Sequence, residues 1–257
     1  MTKPVTPLRI IQISDLHLQA QAHGRLWEVD VDWGLTAVLE QLTAYRWPPD
    51  FLLATGDLVQ DDDAAYPRLR DALESLGAPV YCLPGNHDVP ERMKAILRDG
   101  AVCHRRHIID EYWQFILLDS TLPDSPAGYL ADTELDFLDR TLRAYPRHHA
   151  MVCLHHPPVS IGGAWLDSMV GNGEDLFAVV DRYPQVRAIV WGHIHQEFST
   201  QRGGMALLGA PSTCLQFKPG VADAQADDVP PGYRWFRLYP DGRLDTGVER
   251  VGRSNPA

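Results

Sequence analysis

The chain has 257 residues, of which 45% are hydrophobic and 22% are charged. This composition predicts one domain over residues 1–257 with a sizeable core, and it argues against large-scale disorder. The formal net charge of -11 argues against extended nucleic acid as a partner, because lysine and arginine are the side chains that grip its phosphate backbone. A small phosphorylated metabolite fits this charge better.

The sequence contains no apolar segment as long as a membrane span, and its first residues lack a basic start followed by an apolar signal core. We therefore expect a cytoplasmic protein with no membrane partner. The cysteines are Cys82, Cys103, Cys153 and Cys214. None forms a C-x-x-C pair and two fall in predicted buried strands, so we expect reduced core residues.

Five apolar runs of strand length predict buried β-strands. They are LRIIQIS at 8–14, FLLAT at 51–55, VYCLP at 80–84, MVCL at 151–154 and VRAIVWG at 186–192. Helical periodicity fills two intervals, from Ala64 to Leu76 and from Glu134 to Leu142, the second after a cap at Asp132 or Thr133. Strands that alternate with helices predict an α/β layered fold.

The carboxyl-terminal part of the chain predicts a loop followed by a hairpin. Residues 220–232 are acidic, contain proline and have few large apolar side chains, so we expect them to loop out. Two strands then follow, with Pro240, Asp241 and Gly242 as the turn between them.

Side chains that can bind metals stand at or directly after the end of each of the five apolar runs, in the motifs SDLH, TGDL, PGNHD, LHHPP and WGHIH. The candidate ligands are Asp15, His17, Asp57, Asn86, His155, His193 and His195. In open α/β sheets, ligands bind beyond the carboxyl ends of the strands, so we expect the five motifs to converge. The ordered set predicts a site for two adjacent divalent metals.

Two further expectations concern the local geometry of these motifs. Gly56, Gly85 and Gly192 each precede a candidate ligand, and we expect them to free the backbone where a strand stops. The ligands of the first and last motifs are spaced two residues apart, so in an extended segment each pair leaves on one face. Oxygen and imidazole donors without a thiolate suit Mn, Fe, Zn or Co, and the choice among these metals stays open.

The blocks D-x-H, G-D, G-N-H-D, H and G-H-x-H resemble the calcineurin-like metallophosphoesterase superfamily, and every block is present. The intervening stretches, among them ATGDLVQDDDAAYPRL, HHPPV, WGHIHQEF and GAPSTCLQFKPG, resemble the bacterial class III 3′,5′-cyclic AMP phosphodiesterases along nearly the whole chain. HIHQE and PSTCLQFKP are the most telling, since neither is required merely to hold metal. The resemblance implies a four-layer α/β/β/α sandwich.

The resemblance also implies a binuclear centre of divalent or mixed-valence transition metals, with Fe and Mn favoured and Zn or Co as alternatives. It implies these ligands: Asp15, His17 and His195 for the first metal, Asn86, His155 and His193 for the second, and Asp57 for both. His87 would be the catalytic acid, with Asn86 and Asp57 as further catalytic residues. Substrate contacts would come from His17, Asn86, His87 and His195.

The implied activity is hydrolysis of 3′,5′-cyclic AMP to 5′-AMP. A metal-bridging hydroxide would attack phosphorus, and His87 would protonate the leaving 3′ oxygen. The expected partner is a small cyclic nucleotide, and monomer and homodimer are both open. The ligand set alone does not separate this substrate from a nucleotide sugar, a dinucleoside polyphosphate or another phosphodiester. A non-catalytic scaffold of the same fold is the alternative from another class, and the complete ligand set argues against it.

Five more residues have two interpretations each. Asp88 either orients a histidine or belongs to a turn. His156 either touches the phosphate or, as we favour, is a backbone-bonded or surface residue. Trp165 either stacks on adenine or, as we favour, anchors its loop. His23 and Arg25 either form a wall of the cleft or, as we favour, lie in an ordinary surface loop.

Overall fold

Two six-stranded sheets form the centre of the molecule in the computed structural model, which describes residues 6–46, 48–163 and 170–252. The strands are β1 (Leu8–Ile13), β2 (Arg25–Leu26), β3 (Val29–Asp30), β4 (Phe51–Thr55), β5 (Val80–Leu83), β6 (Val102–His104), β7 (His107–Ile109), β8 (Trp113–Leu117), β9 (His149–Cys153), β10 (Val186–Trp191), β11 (Phe198–Arg202), β12 (Met205–Gly209), β13 (Gln216–Phe217), β14 (Ala226–Asp227), β15 (Gly232–Leu238) and β16 (Leu244–Arg250). The helices are α1 (Val31–Tyr45), α2 (Tyr66–Glu74), α3 (Pro90–Ile96), α4 (Asp132–Ala144) and α5 (Gly173–Val180).

The first sheet has the order β16-β15-β1-β4-β5-β6, and the second has the order β11-β12-β10-β9-β8-β7. Their central strands run parallel, and these are β1, β4, β5 and β6 in one sheet and β8, β9, β10 and β12 in the other. The strands that precede the five motifs therefore lie side by side within their sheets. Parallel strands end at the same edge, and this places the motifs together.

Three buried apolar clusters divide the molecule into layers. One cluster packs the first sheet against α1, α2 and α3, and a second packs the other sheet against α4 and α5. The third lies between the sheets and includes Ile10, Phe51, Phe115, Met151 and Val190. Successive strand residues point to opposite faces, so strands covered on both faces need continuous apolar runs rather than alternating ones. The four-layer α/β/β/α arrangement confirms the predicted fold class.

All five apolar runs form strands, and the carboxyl-terminal hairpin is β15 with β16, joined through the expected turn at 240–242. The acidic stretch at 220–232 is mainly irregular, although β14 within it pairs with β13. The predicted cap of α4 is wrong, because Ala131 is the capping residue and Asp132 already lies in the helix. The carboxylates of Asp132 and Glu134 lie in the first turn, where they complement the helix dipole instead.

All four cysteines are buried with free thiols, as predicted. Among the helices in the described parts of the chain, none combines the length and the apolar composition needed to cross a bilayer.

Candidate metal centre

The seven predicted ligands meet in two adjoining clusters at the carboxyl edges of the sheets. In the first cluster, His195 Nε2 lies 3.1 Å from His17 Nε2 and 3.4 Å from Asp15 Oδ1. In the second, Asn86 Oδ1 lies 3.1 Å from His155 Nε2 and 3.0 Å from His193 Nδ1. Each cluster thus combines imidazole nitrogens with an oxygen donor.

Asp57 lies between the clusters and turns one carboxylate oxygen toward each. Its Oδ2 is 3.7 Å from His17 Nε2, and its Oδ1 is 3.4 Å from His155 Nε2. The backbone N–H of His87 donates to the same Oδ1 at 2.9 Å, which fixes the orientation of the carboxylate. A single side chain therefore reaches both halves of the site.

Outer hydrogen bonds fix the imidazole tautomers so that lone pairs face inward. The Nδ1 of His155 donates to the carbonyl oxygen of Thr55 at 2.9 Å, and that of His195 donates to the carbonyl oxygen of Leu215 at 2.8 Å. His17 Nδ1 lies 2.7 Å from Gln60 Oε1 in the same manner. In its neutral form, a histidine that donates through Nδ1 presents an unprotonated Nε2, which is the form that binds metals.

The buried charges of the site also call for cations. Asp15 and Asp57 are almost fully buried, and in the described residues their ion-pair partners are histidines rather than lysine or arginine. The two Nε2 atoms of His17 and His195 are 3.1 Å apart with lone pairs facing one another. Buried carboxylates and opposed lone pairs are costly unless a cation lies between them. The residues present therefore fit two metal ions.

The pKa values of these side chains follow the same electrostatics. Burial raises the pKa of Asp57, but His155 and His17 outweigh burial and hold it well below its usual range. Burial lowers the pKa of His155, but Asp57 outweighs it and raises the pKa to about 9. Burial lowers the pKa of His17 to about 4, so this ring is neutral at pH 7. Without a bound metal ion, the proton on His155 partly neutralises the buried carboxylates, as a bound cation would.

Five of the seven predicted ligands have a left-handed backbone. They are Asp15 (φ 54°), His17 (φ 49°), Asp57 (φ 48°), His193 (φ 66°) and His195 (φ 49°). The prediction that the ligand pairs lie in extended segments is therefore wrong, because the backbone bends at each ligand once its strand has ended. Left-handed residues other than glycine are unfavourable and cluster at functional sites, where the surrounding structure holds them.

The predicted reason for the flanking glycines is correct only for Gly56, which has a φ of 91°. Gly85 and Gly192 have no such backbone. A β-carbon at Gly85 would overlap Asp57 Oδ1, and one at Gly192 would overlap Ser14 Oγ. These two glycines are therefore needed because other parts of the site approach them closely.

Comparisons with known proteins agree with this geometry. The sequence profile of the calcineurin-like phosphoesterase family matches residues 8–197. The chain belongs to the calcineurin-like phosphoesterase family. It is 43% identical to the 3′,5′-cyclic-nucleotide phosphodiesterase of Nostoc sp., over 97% of this chain and 95% of that one. It is 42% identical to the 3′,5′-cyclic adenosine monophosphate phosphodiesterase of Pseudomonas aeruginosa, over 94% of this chain and 89% of that one.

A solved structure with the same fold is a dimetal phosphatase from Danio rerio, with a TM-score of 0.69 and 14% identity. The similarity covers 96% of this chain and 100% of the phosphatase. At this identity the likeness shows the fold alone, and it agrees with the arrangement of two sheets between helices. The calcineurin-like fold and the cluster of histidines and aspartates together support a dimetal centre.

His87 lies at the open edge of this calcineurin-like phosphoesterase site, with about a third of its side chain exposed. Together with Asn86 it lines a cavity of about 560 Å³. Its Nδ1 donates to Asp61, at 3.0 Å from the carboxylate oxygens. Gln60 donates to Asp61 Oδ2 at 2.6 Å and so connects Asp61 with His17. Sequence reasoning missed Asp61, although its place in the acidic run just after TGDL could have indicated it.

Asp88 holds two ligand loops of the phosphoesterase site together. Its carboxylate accepts from the backbone N–H of Gly85 at 2.8 Å and of Leu58 at 3.1 Å, and from Tyr66 Oη at 2.9 Å. Burial, followed by the charge of Asp57, raises the pKa of Asp88 to about 7. The hydrogen bonds assign Asp88 to the turn, because none of them reaches a histidine.

His156 is fully buried beside His155, so it is not a surface residue, but its hydrogen bond to the backbone of Pro126 agrees with the backbone-bonded interpretation. Its Nδ1 lies 2.8 Å from Ser120 Oγ, and its ring centroid lies 4.8 Å from that of His193. It therefore supports the second cluster by packing. Trp165 lies outside the described residues. His23 precedes the β2–β3 hairpin and Arg25 is the first residue of β2, and the tip of this hairpin approaches the first cluster through Phe217.

Proposed function

We propose that this protein is a binuclear metal-dependent phosphodiesterase that hydrolyses 3′,5′-cyclic AMP to 5′-AMP. The observation that carries the proposal is a complete set of inward-facing donors for two metals, with His87 at its open edge. The substrate is inferred from relatives that are named for cyclic nucleotides and that are similar along almost the whole chain. Relatives with the same fold act on other phosphorylated compounds, so the fold alone would not choose the substrate.

We assign Asp15, His17 and His195 to the first ion and Asn86, His155 and His193 to the second, with Asp57 shared. The inward-facing lone pairs support this division, as do the two directions of the Asp57 oxygens. When bound, two divalent ions supply positive charge for the phosphate and lower the pKa of a water to give hydroxide at neutral pH. Oxygen and imidazole donors without a thiolate suit Mn, Fe, Zn or Co, and we favour Fe and Mn among them because the family resemblance implies these metals.

The residues of the chain supply the remaining chemistry. The Asn86 amide lies where it can contact a non-bridging phosphate oxygen, and His17 and His195 form the adjoining surface. The 3′ oxygen of ribose is a poor leaving group unless it is protonated, and His87 is the acid that we assign to it. Because Nδ1 of His87 donates to Asp61, its Nε2 is the atom left to hold the proton for the substrate. Asp61 is then a positioning residue for that imidazole.

The proposed cellular location and the proposed class of substrate follow from the chemistry of the chain. Four buried free thiols suit a reducing compartment, so we place the enzyme in the cytoplasm. The two metal ions would be the largest charges at the site. A small cyclic nucleotide, which is a monoanionic phosphodiester, would therefore be attracted to it. The alternative substrate is another phosphodiester metabolite. A scaffold without activity is disfavoured by the complete donor set.

A comparison of initial rates tests this proposal. Purified protein loaded with Mn²⁺ is given 3′,5′-cyclic AMP, 3′,5′-cyclic GMP, 2′,3′-cyclic AMP and an aryl phosphodiester in parallel. We expect 3′,5′-cyclic AMP to be hydrolysed well above the 2′,3′ isomer and the aryl diester, while the cyclic GMP rate measures base preference. Hydrolysis of the aryl diester with little or no action on 3′,5′-cyclic AMP would keep a phosphodiesterase but reject this substrate.

A further inference from the structure

An unusual turn lies next to the first metal cluster. Strands β2 and β3 pair as a hairpin, and Trp27 and Glu28 form its two-residue loop. Both have a left-handed backbone, with φ of 47° and 67°. Two-residue hairpin turns that need positive φ at both positions favour Asn-Gly. A bulky tryptophan at such a position is a true outlier, and outliers that break local sequence rules indicate functional sites.

The tip of the hairpin is connected to the metal site by aromatic contacts. The indole of Trp27 packs edge-on against Phe217, with ring centroids 5.7 Å apart. The ring of Phe217 in turn stacks on His195, with centroids 4.5 Å apart and an interplanar angle of 26°. Trp27 nevertheless remains 51% exposed. An exposed indole is therefore held one ring away from a proposed metal ligand.

The hairpin is fixed to the body of the protein, so its tip has little freedom to relax. Gln19 Nε2 donates to the carbonyl oxygen of Arg25 at 3.0 Å, and Arg68 donates to the carbonyl oxygen of Gln19 at 3.0 Å. At the other end, Asp30 caps α1 by accepting from Asp32 N at 3.0 Å and Trp33 N at 3.1 Å. These contacts hold the strained turn in place and keep the indole pre-positioned.

We propose that the indole of Trp27 is the surface on which the purine of the cyclic nucleotide stacks when its phosphate lies at the metal centre. This inference rests on the proposed function. Aromatic side chains stack on any base through its π-face, so Trp27 contributes affinity for a purine and does not choose between adenine and guanine. Phe217 contacts both the indole and the ring of His195, and so connects the proposed stacking surface with the first metal cluster.

The competing position for the base is the cavity beside His87. Its walls include Val89 and Leu122, and both side chains are exposed. These side chains are aliphatic, and the part of the cavity wall formed by residues 121–126 lacks an aromatic ring. A purine gains more from an aromatic surface than from isolated aliphatic contacts. The position beside Trp27 is therefore favoured, and the other is an outcome of the test.

The test compares single-site variants of the turn on two substrates. Trp27→Asn removes the indole and relieves the backbone strain, so it should not impair folding, whereas the matched control Glu28→Gly relieves the neighbouring strain and keeps the indole. The substrates are 3′,5′-cyclic AMP and 1-deoxyribofuranose 3′,5′-cyclic phosphate, which keeps the cyclic diester and lacks the purine. For each pair we measure kcat, KM and the melting temperature.

We expect Trp27→Asn to raise KM for cyclic AMP about tenfold, since base stacking is worth this much, with a much smaller change in kcat. The ratio of KM for the base-free substrate to KM for cyclic AMP, which measures the advantage that the purine gives, should fall by the same factor. Trp27→Phe should retain most of this advantage, and Glu28→Gly should keep all of it. A merely structural Trp27 would instead give a lower melting temperature in Trp27→Asn, or equal effects of this substitution on both substrates.

Three results would overturn the inference. An unchanged KM ratio in Trp27→Asn, with active wild-type enzyme, would reject the stacking role and leave the proposed function intact. A fall in that ratio for Leu122→Ala alone would place the base beside His87. Wild-type protein that hydrolyses an aryl diester but not cyclic AMP would reject the proposed function itself, and the stacking role with it.

Discussion

The substitution Asp57→Ala is expected to lower turnover of cyclic AMP on the order of 10³-fold and to reduce the amount of bound metal. Asp57 turns one oxygen toward each cluster, so its loss removes an oxygen donor from both. Losing an ion removes several kcal/mol of transition-state stabilisation, and each 1.36 kcal/mol is about tenfold in rate. Metal content by inductively coupled plasma mass spectrometry and kcat on the same preparation measure both effects.

Asp71→Ala is the matched control for this substitution. It removes the same charged side chain from the exposed face of α2, where the Asp71 side chain is 73% exposed. We expect its metal content and turnover to equal those of the wild type. Full metal content in Asp57→Ala, with turnover within tenfold of the wild type, would contradict the shared-ligand assignment.

The substitution His87→Ala is expected to lower kcat for cyclic AMP roughly 10²–10⁴-fold while metal content stays near that of the wild type. The His87 ring packs edge-on against that of His17, with centroids 5.2 Å apart, but it supplies no proposed ligand atom, and the backbone N–H that contacts Asp57 is kept in the variant. An aryl phosphodiester has a leaving group that departs without a proton. Its hydrolysis should therefore fall much less than that of cyclic AMP.

The same pair of substrates separates the acid from its positioning residue. Asp61→Asn should also lower the turnover of cyclic AMP more than that of the aryl phosphodiester, but the loss for cyclic AMP should be smaller, about tenfold. The neighbouring Asp63, which forms a surface ion pair with Arg92, offers Asp63→Asn as a control that should have little effect. Equal losses on the two substrates in His87→Ala would assign His87 a structural role and leave the proton donor unidentified.

The sequence was sufficient to predict the strands and the ligand motifs because both depend on short-range patterns. Strands buried on both faces require continuous apolar runs, and polar residues directly after such runs lie at the edge of a sheet. The side chains of Asp15, Asp57 and His155 could therefore be placed together before any contact was known. The division of these strands between two sheets came from the family resemblance, because periodicity does not determine which strands become neighbours.

Other features depend on three-dimensional contacts and had no clear local pattern. The left-handed backbone at His17 and His193 arises from bends that bring several loops to one point, and a two-residue spacing does not reveal it. Gly85 is required by the approach of Asp57 from another loop, 28 residues earlier in the chain. The contact between Trp27 and Phe217 joins still more distant segments. Contacts between segments so far apart in the chain form only in the folded structure, and they leave no local pattern in the sequence.

The most direct test of the central claim is identification of the product formed from 3′,5′-cyclic AMP by the Mn²⁺-loaded protein in water enriched in ¹⁸O. Phosphorus NMR and mass spectrometry locate the incorporated oxygen. We expect 5′-AMP with a single ¹⁸O in its phosphate, because hydroxide from water attacks phosphorus and the bond to the 3′ oxygen breaks. Formation of 3′-AMP, ¹⁸O in the ribose, or no turnover at full metal content would contradict the account.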